Sequence, residues 1–126
     1  MRLNHVTLIV TDLEVSMSFY SALGLKPIVI EEPRYVRFTL PSRDDTLSLE
    51  VTGEQRSESR VQLYFECPYL DTLCADLRRE GIEFEQGPTD MDYLWREARI
   101  RDPDGHQIRL YYAKDNRLNP PWRIKE

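Results

Sequence analysis

Long apolar runs are missing from this sequence of 126 residues. No stretch approaches the roughly 20 apolar residues that span a bilayer, and the first residues carry no apolar core like that of a signal peptide. We therefore expect a soluble, cytoplasmic protein without a membrane partner. A chain of this length buries about two thirds of its unfolded surface, which is enough for one compact domain.

A basic stripe is also missing. The chain has 17 lysines and arginines against 22 aspartates and glutamates, a formal net charge of −5, and the two signs are interspersed. Nucleic-acid-binding proteins usually cluster their basic residues on one face. The composition therefore argues against a nucleic-acid partner.

Cysteine is scarce, and proline-rich sequence is absent before the tail. The spacing of Cys67 and Cys74 fits neither a zinc knuckle nor a redox pair, so we expect two buried thiols in a reducing compartment. The C-terminal tail, residues 114–126, contains the run Pro120, Pro121 and Trp122. We expect it to dock on the chain's own body or on a partner subunit, with a frayed tail as the alternative.

The chain contains the same pattern twice, 57 residues apart. At that offset Leu13 matches Leu70 and Gly24 matches Gly81, and the residues between them keep helical spacing. Each copy predicts a strand, a helix ended by glycine, and three more strands. The predicted strands cover residues 4–10, 26–31, 35–40, 46–52, 61–67, 82–86, 94–101 and 106–112.

These elements predict an α+β fold made of two tandem βαβββ modules. We expect a curved mixed sheet around a cavity, with the helices on its outer face. Module one covers residues 3–52, the polar stretch 53–60 is the linker, and module two covers residues 61–113. Together they form a single domain over residues 1–113.

Strand parity separates the two faces of this sheet, because successive side chains point to opposite sides. The continuous apolar faces must cover the helices. The opposite face then carries His5, Glu50, Gln62 and Arg109. Several polar groups on one concave face make a reasonable binding-site hypothesis. Neither histidine is placed by sequence next to a serine or cysteine with an orienting acid, so no nucleophile stands out.

The sequence resembles the vicinal oxygen chelate superfamily, which includes glyoxalase I, extradiol dioxygenases, fosfomycin-resistance thiol transferases and bleomycin-resistance proteins. The resemblance extends from residue 3 to about residue 113. It is carried by residues 3–8 (LNHVTL), 19–20 (FY), 23–25 (LGL) and 102–108 (DPDGHQI). It implies the paired βαβββ fold, and it implies a homodimer, because members usually dimerise.

The resemblance also implies four metal-ligand positions, which fall on His5, Glu50, Gln62 and Arg109. The first two match the family pattern, and glutamine serves at some sites. Arg109 departs from it, because guanidinium offers no lone pair. A guanidinium about 5 Å from a divalent ion is repelled by roughly 7 kcal/mol at an effective dielectric near 20. We therefore expect Glu50 and Arg109 to form an ion pair, or Arg109 to hold a carboxylate or phosphate of a ligand.

Three functions follow as hypotheses. The leading one is a metal-free binder of a small molecule, as in the bleomycin-resistance proteins, with the ligand in the cavity between modules. Tyr64, Trp95 and Tyr111 would line the cavity beside His5 and Gln62.

The alternative is a metal-dependent lyase, dioxygenase or thiol transferase with His5, Glu50 and Gln62 as ligands of a divalent ion. A third hypothesis is a cofactor-free enzyme in which Glu50 is the general base and Arg109 stabilises an oxyanion.

Overall fold

The computed structural model describes residues 1–41 and 44–125, which form two compact units. The first unit comprises Met1–Glu58 and Asp102–Gly105, and the second comprises Ser59–Arg101 and the chain from His106 onward. The elements, in chain order, are β1 (His5–Ile9), α1 (Leu13–Ala22), β2 (Lys26–Glu31), β3 (Tyr35–Thr39), β4 (Thr46–Glu50), β5 (Gln62–Glu66), α2 (Leu70–Arg79), β6 (Gln86–Asp90), β7 (Arg96–Arg101), β8 (Gln107–Tyr112) and a 3-10 helix (Lys114–Arg117).

Helix α1 begins and ends as its sequence predicts. The Asp12 carboxylate accepts a hydrogen bond from the Val15 amide at 3.2 Å, which satisfies one of the free donors of the first turn. Gly24 follows the helix with a φ of +99°, a conformation that glycine adopts without strain. The apolar face of α1 covers one face of its sheet, where Leu8, Val10, Val36, Phe38, Leu47 and Leu49 are buried.

The sheets of the two units have the same topology. Their strand orders are β1-β4-β3-β2 and β5-β8-β7-β6, and in each the first pair is parallel while the others are antiparallel. In the second unit Leu70, Cys74 and Leu77 of α2 are buried, together with Ala98, Ile100, Ile108 and Leu110 of the sheet. Gly81, at a φ of +89°, ends α2 as Gly24 ends α1. The α+β fold and the repeated βαβββ pattern are confirmed.

One strand lies elsewhere than predicted. Residues 82–86 alternate in polarity and suggested a strand, but β6 spans Gln86–Asp90 and includes Gly87 and Pro88. The Ile82 amide instead donates to the Leu77 carbonyl at 3.1 Å and completes the end of α2. Since β6 is an edge strand, a proline that cannot donate to a neighbouring strand is tolerated there.

The turn of residues 102–105, predicted within module two, packs in the first unit and satisfies the start of α1. The buried Asp104 carboxylate accepts from the Thr11 amide at 3.1 Å and from the Thr11 hydroxyl at 2.8 Å. The Tyr20 hydroxyl donates to the buried Asp102 carboxylate at 2.6 Å. Burial, followed by the charge of Asp102, raises the pKa of Tyr20. This turn therefore has a structural role.

In the C-terminal tail the side chain of Trp122 is 58% exposed, so it is not buried against the second unit as docking on the chain's own body would require. Docking on a partner subunit stays a prediction. No helix among the described residues is long and apolar enough to cross a bilayer.

Both cysteines are free and buried, as predicted. Burial, followed by the nearby charge of Asp71, raises the pKa of Cys74 to about 11, and burial also raises the pKa of Cys67. The folded state therefore binds the Cys74 proton more tightly than the unfolded state does.

Stability should consequently fall as the pH rises from about 9 to 11, with Cys74 contributing roughly 2 kcal/mol of the loss. The free energy of unfolding in urea at pH 8 and at pH 10.5 measures this loss. Cys74→Ala should make the dependence on pH shallower. An equally steep dependence in that variant would contradict the assignment to Cys74.

Candidate functional site

The second unit presents a polar and aromatic sheet face opposite its helix. Strands β5, β8 and β7 lie in register, so that residues at the same level share one face. Three rows cross this face: Gln62, Gln107 and Arg101; then Tyr64, Arg109 and Arg99; then Glu66, Tyr111 and Glu97. We call these nine residues, with the adjoining Tyr93 and Trp95, the cationic face.

Arg109 lies at the centre of the cationic face. Its Nη2 donates to Gln107 Oε1 at 2.9 Å. Its Nη1 is buried and has no hydrogen-bond partner among the described residues, although Arg109 is only 6% exposed. A buried charged donor without an acceptor is costly, and an anion placed there would remove that cost.

Arg99 lies directly across from Arg109 and is held in place by Glu97. The Glu97 carboxylate is 0% exposed and accepts from Arg99 Nε at 3.0 Å and from the Tyr93 hydroxyl at 2.6 Å. The hydrogen bond with Glu97 raises the pKa of Arg99, and burial followed by the Glu97 contact raises the pKa of Tyr93. The charge of Arg99 is thus compensated within the second unit.

An aromatic cluster adjoins these arginines. The rings of Trp95 and Tyr111 stack at 4.6 Å with an angle of 22°, and Tyr64 meets both rings edge-on at 5.8 Å. The structure therefore brings together Tyr64, Trp95 and Tyr111. Gln62 lies beside them and accepts from the Tyr64 hydroxyl at 3.2 Å.

The corresponding face of the first unit carries a network of hydroxyl groups. Arg37 Nε donates to the Tyr35 hydroxyl at 2.9 Å, and the Tyr35 and Ser48 hydroxyl groups share a hydrogen bond of 2.6 Å. Ser48 Oγ lies 3.3 Å from His5 Nε2, and His5 Nδ1 lies 2.5 Å from Thr46 Oγ1. Both imidazole nitrogens are therefore engaged by hydroxyl groups.

His5 and Glu50 are not brought together in the first unit. His5 pairs with Thr46, whereas Glu50 pairs with Ile9, four residues further along the parallel strands. At about 3.3 Å per residue this places their Cα atoms roughly 13 Å apart along the strand direction. The equivalent of Arg109 in the first unit is Ser48, since the row of Thr7, Ser48 and Arg37 matches the row of Tyr64, Arg109 and Arg99.

The register of the first unit separates two of the predicted metal ligands, His5 and Glu50. Within residues 1–41 and 44–125 no group of three or more histidine, cysteine, aspartate or glutamate side chains is placed to hold one. The position equivalent to Arg109 is a serine, and Arg109 itself has no lone pair. The metal set of His5, Glu50 and Gln62 is therefore not supported by the register of the first unit.

A cavity of about 350 Å³ lies elsewhere in the first unit, at the start of α1. It contains none of the predicted site residues. Its lining residues are Thr11, Asp12, Leu13, Glu14, Glu32, Pro33, Arg34 and Val51.

Sequence reasoning missed several residues of both faces. Glu97 and Arg99 alternate with the apolar Ala98 and Ile100 in β7, so strand parity alone could have placed them with Arg109. Ser48 likewise lies between Leu47 and Leu49 in β4. Its nearness to His5 depends on the strand register, which no single strand encodes.

Residues 2–110 match the Glyoxalase/Bleomycin resistance protein/Dioxygenase superfamily. The chain belongs to this superfamily. A trivalent organoarsenical cleaving enzyme from Bacillus sp. (strain MD1) is 32% identical to it over 136 aligned positions, covering 96% of this chain and 81% of the enzyme.

Solved structures of the superfamily share the fold. One is a family enzyme from Burkholderia phytofirmans PsJN, with 17% identity, a TM-score of 0.75, and coverage of 90% of this chain and 100% of that one. Another is lactoylglutathione lyase from Agrobacterium tumefaciens, with 16% identity, a TM-score of 0.74, and coverage of 98% and 97%.

Proposed function

We propose that this superfamily member is a small-molecule-binding protein of the glyoxalase/bleomycin-resistance type that holds a small organic anion at Arg109. The observation that carries the proposal is the buried Nη1 of Arg109, which has no acceptor among the described residues. Guanidinium pairs well with flat or tetrahedral anions through charge-assisted hydrogen bonds.

The surroundings of Arg109 support a ligand rather than a structural counter-ion within the second unit. Like charges directly opposite each other in a sheet are unfavourable, and Arg99 faces Arg109 in that way. Glu97 compensates Arg99 with one oxygen and accepts from Tyr93 with the other. An anionic ligand would supply the compensation that Arg109 lacks.

The activity of the organoarsenical relative is not proposed for this chain. Trivalent arsenic is a soft centre, and soft centres favour thiolate ligands. The only two cysteines, Cys67 and Cys74, are buried, and burial raises the pKa of both thiols. Neither thiol is presented as a thiolate on the cationic face.

Calorimetric titration with acetate, benzoate and phenyl phosphate at low ionic strength tests the proposal. We expect at least one of these anions to bind. Arg109→Gln should weaken that binding about 10- to 100-fold, the value of a hydrogen bond to a charged group.

Arg79→Gln is the matched control. Arg79 is an exposed arginine of α2 that pairs only on the surface with Asp76 at 2.8 Å, and its loss should leave the affinity unchanged. Equal affinities of the wild type and the Arg109 variant would contradict the proposal, as would the absence of binding by every anion.

A further inference from the structure

We infer that the ligand held at Arg109 is an aromatic monocarboxylate, because a guanidinium without an ion pair among the described residues lies beside a cluster of three aromatic rings. This inference rests on the proposed function and narrows it. It concerns the chemical class of the ligand, for which the charges and the ring positions of the second unit give separate arguments.

The distance between the charge and the rings suits a small aromatic acid. Tyr64 is the register partner of Arg109 on β5, about 5 Å away between neighbouring strands. Tyr111 lies two residues further along β8 on the same face, about 7 Å away. A carboxylate joined directly, or through one or two atoms, to a flat ring spans such a distance.

The aromatic cluster is partly exposed. Tyr64 is 45% exposed, although its ring meets those of Trp95 and Tyr111 edge-on. The exposed part of the Tyr64 side chain is free to contact an additional ring. A planar ligand can therefore extend the cluster, whereas a saturated ligand would gain only the burial of apolar area.

The charges of the cationic face favour a ligand with a single negative charge. Glu97 compensates Arg99 through the contact at 3.0 Å. Arg109 forms no ion pair with a carboxylate of residues 59–101 or 106–125. Among the described residues, Arg109 is the guanidinium of this face without an ion pair, and Glu66 in the next row carries a negative charge. A second negative charge on the ligand would lie near Glu97 and would have no guanidinium to pair with. A dianion should therefore bind no more tightly than a monoanion.

The test compares four ligands by calorimetry on the full chain. They are 2-naphthoate, cyclohexanecarboxylate, 2-naphthyl phosphate and neutral 2-naphthalenemethanol. We expect 2-naphthoate to bind about 3- to 10-fold more tightly than cyclohexanecarboxylate, the range for aromatic contacts beyond area burial. The phosphate should bind no more tightly than 2-naphthoate, and the alcohol at least 10-fold more weakly.

Substitutions at Tyr64 locate the aromatic preference. Tyr64 lies on an edge strand, so the fold should tolerate its change, and circular dichroism verifies this. Tyr64→Leu should remove the preference for 2-naphthoate over cyclohexanecarboxylate, whereas Tyr64→Phe should keep it. If Tyr64→Leu fails to fold, the comparison of the four ligands on the wild type still tests whether the site prefers an aromatic monocarboxylate.

The outcomes separate this inference from the proposed function. Equal binding of 2-naphthoate and cyclohexanecarboxylate, with both weakened by Arg109→Gln, would overturn the aromatic class and leave the anion site standing. Tighter binding of 2-naphthyl phosphate than of 2-naphthoate would overturn the assignment of a monoanionic ligand. Binding that does not respond to Arg109→Gln would overturn both.

Discussion

Asp104→Ala is expected to lower the free energy of unfolding by about 1 to 3 kcal/mol. The buried carboxylate of Asp104 accepts from both the amide and the hydroxyl of Thr11, and it lies 3.5 Å from the Ser16 hydroxyl. Alanine would leave the buried Ser16 hydroxyl without this acceptor, whereas the donors of Thr11 lie at the surface and would turn to water. Each buried donor without a partner costs about 1 to 3 kcal/mol.

Urea denaturation followed by circular dichroism measures this loss. Asp76→Ala is the control, because Asp76 forms an exposed pair with Arg79 on α2 and should contribute less than about 1 kcal/mol. Asp104→Asn should fall between the two, since an amide oxygen still accepts a hydrogen bond. Equal stability of the Asp104 and Asp76 alanine variants would show that the turn does not hold the start of α1.

Arg109→Glu is expected to abolish anion binding, with a loss of more than 100-fold, while the chain still folds. The reversal removes the attraction for the ligand and adds repulsion of similar size. The introduced carboxylate would lie across from Arg99 in the register of β7 and β8. Opposite charges at such a pair are favourable, which offsets part of the cost of burying the acid.

Calorimetry with benzoate measures the binding, and circular dichroism measures the fold. Arg79→Glu is the control with the same change of charge on the exposed side of α2, and it should bind benzoate as the wild type does. Retention of benzoate binding in the Arg109 variant would contradict an anion site at this residue. If Arg109→Glu binds no benzoate because it is unfolded, the affinity of Arg109→Gln tests the anion site instead.

Patterns within a single element were enough to predict most of the fold. Leu13 and Leu70 head matching helices, and Gly24 and Gly81 end them with positive φ angles. Strand parity placed Arg109 on the face opposite the helix. These features depend on local spacing and backbone preference, which the sequence carries directly.

Features that depend on two strands at once could not be predicted. His5 and Glu50 were predicted to share a face and, in the alternative hypothesis, a metal ion, but the pairing of β1 with β4 places Ser48 beside His5. The register depends on the connecting turns and on packing across the sheet, and a shift of two residues keeps the same parity. Parity alone therefore could not separate Ser48 from Glu50.

Gly87 and Pro88 kept the position of β6 from being predicted correctly, for a related reason. Both are typical of a break in a strand, yet they lie within β6. Their acceptability depends on β6 being at the edge of its sheet, and strand order is a property of the whole unit. The partners of Asp102 and Asp104 were equally out of reach, because these residues lie more than 80 positions from Tyr20 and Thr11.

A crystal structure of the chain with 4-bromobenzoate tests the central claim most directly, because bromine is located by its anomalous scattering. We expect the carboxylate within about 3 Å of Arg109 Nη1 and the bromine within about 4 Å of the ring of Tyr64 or Trp95. Bromine bound elsewhere, with Arg109 Nη1 donating to a protein acceptor instead, would contradict the assignment of the cationic face as the ligand site.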